Sequence, residues 1–209
     1  MVFANPYIYF MKALSLLLIS IILLSKPSPT ALGSPSNKDS VLSRLEKKRA
    51  TIDKYVYKHQ KEIIVLAKVS GKGNLVLVKN ENWPDNTEYS YNVLKDSTGR
   101  TIMIAEMPYS ESGDWYIEYK YYFDSNGKTF AFSKRETVFD DSVNGGIAME
   151  ELFKYYDGDY KMLAQIEKLT DKDEKPIKRN KSEFGFPEYK YNIYPNVNSC
   201  LVAYYIKVH

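Results

Sequence analysis

Cys200, His59 and His209 supply the only thiol and the only two imidazoles in this sequence. A cysteine nucleophile needs a neighbouring base, so Cys200 with one of these histidines is the one available pairing. Cys200 is followed by Leu201, Val202 and Ala203, a setting that predicts a buried, inert thiol. If exposed in an oxidising compartment, it would instead pair with a second chain. His209 is the last residue, where chains fray. His59 falls on the apolar side of a helical pattern, where a packed core histidine is expected. No Gly-x-Ser-x-Gly elbow occurs, which closes the usual serine route. One Cys excludes an internal disulfide, and the His and Cys inventory is too small for a zinc cluster.

Carboxylates are the remaining chemistry. Glu106, Glu118, Glu136 and Glu151 lie on stretches that read as strands. Two of them facing across a cleft would suit glycoside hydrolysis; pairing with strand lysines such as Lys120 or Lys134 is the plainer reading. Asp157-Gly158-Asp159 and Asp171-Lys172-Asp173-Glu174 alternate carboxylates as calcium loops do, but the full loop with its distal Glu is missing. Turn chemistry accounts for the first cluster and solvation for the second. Gly71-Lys72-Gly73 lacks the spacing of a phosphate loop. No catalytic residue, metal ligand or cofactor is therefore assigned.

A binding surface is a different prospect. The chain has 19 Tyr and two Trp, and Tyr offers contact area plus a hydroxyl at low entropic cost. Tyr116 and Tyr122 fall on the strand face opposite Trp115, Tyr119 and Phe123, and Trp83 precedes Pro84 in a loop. Trp83, Tyr116 and Tyr122 are the candidate residues for binding a glycan or an envelope protein. The competing arrangement covers that face with a helix. Lys+Arg 29 against Asp+Glu 26, a formal +3, is too balanced for a nucleic-acid binder.

The elements that would position these residues begin with a leader. Ala13–Leu24 is an apolar run preceded by Lys12, shorter than the ~20 residues of a bilayer span and suited to a signal-peptide core. Ala31 and Gly33 place the cut near Gly33–Ser34, giving a signal peptide over 1–33; Met11 is an alternative start to Met1. A retained membrane anchor is the competing reading. The only Cys is Cys200, so no lipid anchor is expected at the cut. The leader would remove Lys12, Lys26, Tyr7 and Tyr9 but no acid, leaving a nearly neutral mature chain.

Residues 34–61 read as a helix capped by Ser36, with Val41, Leu45, Ile52, Val56, His59 and Ile63 toward one face and a basic, solvated opposite face. The period then becomes 2. Ile63–Val69 and Asn74–Lys79 flank Ser70-Gly71-Lys72-Gly73 as a first hairpin, and residues 80–87 read as a loop. Asp96-Ser97-Thr98-Gly99-Arg100-Thr101 recurs as Asp124-Ser125-Asn126-Gly127-Lys128-Thr129, with a weaker echo at Tyr155-Tyr156-Asp157-Gly158-Asp159. In each, Asp can bond its own backbone two residues on, while Gly can take the left-handed conformation. Ile147–Tyr156 reads as a strand despite its good helix formers. Residues 171–182 read as a charged, solvated linker. Residues 188–194 read as one more strand, and Asn198 as the cap of a short C-terminal helix.

The Tyr-Tyr-Phe-Asp-x-x-Gly-Lys turn, Ser110-Glu111-Ser112-Gly113 upstream and the later Tyr-Tyr-Asp-Gly turn resemble a group of uncharacterised secreted proteins of Bacteroidota-type bacteria, over residues 88–170. That resemblance implies an exported antiparallel-sheet protein and carries over no catalytic residue. The turn is also mildly similar to those of meander proteins related to MORN repeats, whose regular Gly pattern is absent here.

The expected fold is α+β in one domain: an antiparallel β-meander sheet of about six to eight strands over 62–209, with the N-terminal helix and a short C-terminal helix covering one sheet face. The expected function is an exported, non-enzymatic binding protein, periplasmic or secreted, whose partner is an envelope protein or a glycan. No nucleic acid and no membrane span after leader removal are expected. The alternatives are a small envelope hydrolase using strand carboxylates and a structural envelope component.

Overall fold

The computed structural model describes residues 37–207. The leader over 1–33, the choice between Met1 and Met11, the Ser36 cap and His209 lie outside the described residues. Helix α1 (Asn37–Lys58) opens the fold. Eight strands follow: β1 (Ile64–Val69), β2 (Val76–Leu77), β3 (Thr87–Lys95), β4 (Thr101–Pro108), β5 (Trp115–Phe123), β6 (Thr129–Phe139), β7 (Ile147–Tyr156) and β8 (Met162–Asp171). A seven-residue helix α2 (Val197–Ala203) closes it. Among the described residues no helix is long and apolar enough to cross a membrane.

The strands form one antiparallel sheet in the order β2-β1-β3-β4-β5-β6-β7-β8. It is a meander except at one edge, where the β1–β2 hairpin folds outward. The alternation that defines the strands also sorts their side chains. On β5, Ile117, Tyr119 and Tyr121 join one core, while Tyr116 and Tyr122 join another. β7 is a strand despite its helix-forming residues because it lies between β6 and β8 and pairs with both; tertiary pairing outweighs local propensity.

The helices cover opposite faces, not one. Leu42, Leu45, Ile52, Tyr55 and Val56 of α1 pack on Leu94, Met103, Tyr122 and Phe153. Cys200 and Tyr204 pack on Tyr91, Ile104, Tyr121 and Phe132 on the other side. Adjacent residues such as Val93 and Leu94, or Met103 and Ile104, are all buried, so neither face can be left in water. α1 also ends before residue 61: His59 leaves helical geometry at φ −115° and ψ 32°, and Gln60–Glu62 make a single 3-10 turn. Its ring is not a core group; it is half-buried, stacked on Tyr55 at 3.9 Å between centroids.

Residues 188–194 pair with no strand. The segment is an extended strap lying across the sheet, with Tyr189 against Trp115 and Tyr191 against Tyr119 and Phe132. An extended chain has period 2 whether or not it bonds to a neighbour, so the pattern was correct and the pairing was not. The cap of α2 is Asn196 rather than Asn198, its side chain accepting from the Ser199 N–H at 2.9 Å.

Residues 171–182 are more ordered than a solvated linker. Asp171 makes the same turn as Asp96, Asp124 and Asp157. In each, the carboxylate accepts from the backbone N–H two and four residues on: Thr98 and Arg100, Asn126 and Lys128, Asp159 and Lys161, Asp173 and Lys175. The residue at the fourth position is left-handed in all four: Gly99, Gly127, Tyr160 and Glu174. After the last turn, the Ile177 N–H donates to the Leu169 carbonyl at 2.9 Å and covers that end of β8's outer edge.

Two substitutions separate backbone strain from packing in these turns. Gly99→Ala, at φ +83° with open space around it, is expected to cost about 1–2 kcal/mol. Gly127→Ala is expected to cost more, because its Cβ would also lie 3.0 Å from Val197 Cγ1. Glu174→Gly relieves the same strain and is expected to stabilise the chain by up to about 1 kcal/mol. Urea denaturation of the three variants checks the order.

Candidate functional site

Tyr116 and Tyr122 do not form an open surface. Tyr122 is 1% exposed, and its hydroxyl donates to Asp53 Oδ1 on α1 at 2.8 Å. Asp53 is held by Arg49 at 2.7 Å, and Arg49 Nε donates to the Tyr155 hydroxyl at 3.0 Å. Burial, then the neighbouring Asp53 charge, raises the Tyr122 phenol well above its ordinary range. Tyr116 is likewise buried in the core beneath α1. Trp83 is half-buried in the loop between β2 and β3, outside that core. The three candidates are therefore not one site.

The four carboxylates are divided between the faces. Glu118 lies 2.9 Å from Lys120, and Glu151 is bonded by Arg135, both on the face under α1. Glu106 and Glu136 are on the strap face, at different places: Glu106 Oε2 is 2.5 Å from the Tyr204 hydroxyl, whereas Glu136 faces Glu150 directly across β6 and β7. Cys200 is fully buried, and burial raises its thiol well above the ordinary range. It is neither a thiolate nor open to a second chain.

Glu136 and Glu150 form a close cluster with two lysines. Lys134 Nζ lies 2.7 Å from Glu136 Oε1; Lys181 Nζ lies 3.2 Å from Glu136 Oε2 and 2.5 Å from Glu150 Oε2. Burial, with the hydrogen bond to Glu150, raises the Glu136 carboxyl above its ordinary value. Burial also pushes Glu150 upward, but the bond from Glu136 and the Lys181 ion pair outweigh it and bring Glu150 down. Sequence reading named Glu136 but missed Glu150 and Lys181. The Glu136–Glu150 register depends on the length of the β6–β7 turn, and Lys181 reaches the pair from the segment read as solvated linker.

Divergent carboxyls are what acid–base catalysis uses. Here they touch each other, however, and a glycosidase needs roughly 5–9.5 Å between its carboxyls for a sugar or water. Both are also occupied by ammonium groups. The arrangement can hold the segment around Lys181 to the sheet through charge, and it leaves no gap for a reacting bond. Among the described residues no group of three or more His, Cys, Asp or Glu is arranged to hold a metal ion. Asp157 and Asp171 spend their carboxylates on turn backbone.

A row of ordered turns, Asp96–Arg100, Asp124–Lys128 and Asp157–Lys161, reaches solvent. They join β3 to β4, β5 to β6 and β7 to β8, so they share one end of the sheet, spaced about 10 Å apart for alternate strand pairs. Hydrogen bonds from Thr98 and Arg100 hold the Asp96 carboxyl well below its ordinary range. Lys128 Nζ donates to the Gly158 carbonyl at 2.6 Å and ties two turns together. Ser97, Thr98, Ser125, Asn126 and Asp159 are exposed at the tips.

Two outcomes follow for stability. Tyr122→Ala is expected to cost about 3–5 kcal/mol, as for other large core aromatics, measured by urea denaturation. Lys181→Ala is expected to cost about 1–2 kcal/mol at neutral pH, discounted for the partial exposure of the lysine. That deficit shrinks in acid, because protonating the Glu136–Glu150 pair relieves the repulsion that Lys181 offsets. Melts of wild type and Lys181→Ala across acid and neutral pH check the sign.

No protein-family model, no curated protein and no solved structure matches the chain.

Proposed function

We propose that this is an exported, non-enzymatic binding protein that presents its row of hairpin turns to a glycan of the cell envelope. Export is inferred from the leader-like pattern of residues 1–33 and from the resemblance of the turns to secreted proteins. The observation that carries the binding reading is the shared construction of the three turns. Each Asp satisfies backbone donors inside its own turn, so the loops are ordered before any partner arrives, and ordering costs on binding are small. The tips carry hydroxyl, amide and carboxylate groups, which suit hydrogen bonding to sugar hydroxyls. They lack the central aromatic anchors on which protein interfaces depend.

The hydrolase alternative has one observation in its favour, the divergent Glu136 and Glu150 carboxyls. Their direct contact and their lysine partners weigh against it.

Immobilised protein is expected to retain soluble envelope polysaccharide. The combined variant Ser97→Lys, Asn126→Lys, Asp159→Lys is expected to lose at least tenfold of that retention with an unchanged melting curve. Ser142→Lys, on an exposed turn at the other end of the sheet, is expected to bind as wild type. Retention unchanged in the triple variant would sink the reading. So would polysaccharide cleavage that Glu150→Gln abolishes, which would favour the hydrolase.

A further inference from the structure

Glu106 lies on β4 between Tyr91 of β3 and Tyr119 of β5, on the face covered by the C-terminal segment. Three short contacts run from it in series. Glu106 Oε2 is 2.5 Å from the Tyr204 hydroxyl, that hydroxyl is 2.8 Å from the Tyr121 hydroxyl, and the Tyr121 hydroxyl is 2.6 Å from the Asn192 carbonyl. Asn192 belongs to the strap and Tyr204 caps α2, so the series joins both parts of the C-terminal segment to the sheet.

Counting protons decides the form of Glu106. A backbone carbonyl only accepts, and each phenol brings one proton. With Glu106 ionised, two protons must serve three contacts, so either the two hydroxyl oxygens at 2.8 Å or the Tyr121 hydroxyl and the Asn192 carbonyl at 2.6 Å face each other with no proton between them. A protonated Glu106 supplies the third. It donates to Tyr204, Tyr204 donates to Tyr121, and Tyr121 donates to the Asn192 carbonyl, so every oxygen in the chain is satisfied in one direction.

The surroundings agree. The ionisable groups that face Glu106 are Lys68 of β1, Tyr89 and Tyr91 of β3, Tyr119 and Tyr121 of β5, and Tyr194, Cys200 and Tyr204 of the C-terminal segment. Lys68 is the one cation among them, and its ammonium is also engaged by Glu88 at 3.5 Å, on a side chain about half exposed. Burial raises the Glu106 carboxyl, while the Tyr204 bond and Lys68 pull the other way without reversing it.

We propose that Glu106 is a carboxylic acid in the folded protein, the first donor of a proton-ordered relay that fastens the C-terminal strap and α2 to the sheet, and that this fastening weakens as rising pH removes the proton. The sign follows from linkage. The folded group binds its proton more tightly than the unfolded one, so the contribution is complete below the ordinary glutamate pKa of about 4.3. It is lost as pH rises toward the higher folded value. The Lys181 clasp on Glu136 and Glu150 holds an earlier part of the same segment and weakens in the opposite direction, in acid.

Carbon-13 NMR of glutamate-labelled protein reads the carboxyl directly. Glu106 is expected to keep its protonated signal after the exposed glutamates have ionised, and a Glu106 that titrates with them overturns the proposal. Hydrogen exchange then tests the fastening, at the Tyr204, Tyr205 and Ile206 amides that bond back to α2. After correction for intrinsic exchange, their protection is expected to fall with rising pH by up to tenfold per unit. Glu106→Gln keeps a donor for Tyr204 and cannot titrate, so its protection is expected to be flat. The same pH dependence in Glu106→Gln and wild type also overturns the proposal. If the variant fails to fold, the wild-type carboxyl signal still decides.

Discussion

Tyr121 and Tyr122 are consecutive on β5, and both are buried, one beneath the C-terminal segment and the other beneath α1. An antiparallel sheet can leave one face wet; this one cannot, because its central strands carry large side chains on both sides. Each face therefore needs a cover, and the two covers come from opposite ends of the described chain. Burying a tyrosine also means finding a partner for its hydroxyl. Tyr122 takes Asp53, while Tyr121 takes Tyr204 and the Asn192 carbonyl. The hydroxyls thus tie each cover to the sheet in a set register, which apolar contact alone would not specify.

The same requirement explains what could be read from the residues and what could not. Alternation along β5 assigns Tyr116 and Tyr122 to one face because successive strand side chains point opposite ways. It contains nothing about what lies above that face, so a binding surface and a covered core were equally compatible with it. The turns at Asp96 and Asp124 were readable because glycine marks their left-handed position. The turn at Asp171 was hidden because Glu174 takes that position among charged neighbours. The pairing of Glu136 with Glu150 needs a register across the β6–β7 connection, and no local pattern supplies one.

Three acids on the strap face show two ways of keeping a carboxyl out of water. Glu136 and Glu150 are offset by the ammonium groups of Lys134 and Lys181. Glu106 is offset by hydroxyls. The first arrangement opposes charged groups on the covered face and depends on a lysine remaining in place. The second carries no charge when protonated and depends on a hydrogen-bond direction. Their positions near Lys181 and Tyr204 put them toward the two ends of the C-terminal segment, so the cover is secured at both ends by groups that respond to acidity in opposite senses.

This division also bears on where a partner would meet the protein. A face buried beneath its own cover has little left for a ligand unless that cover moves. A turn whose backbone is satisfied by its own aspartate keeps its outer side chains free and already ordered. The displaced Glu106, Glu136 and Glu150 carboxyls are each engaged in holding a segment of chain. Perturbed carboxyls identify catalysis only where the perturbing partners leave room for a substrate. Here Lys181 and Tyr204 of the C-terminal segment fill that room, which leaves the end where the hairpins turn as the better place for a partner than the sheet's faces.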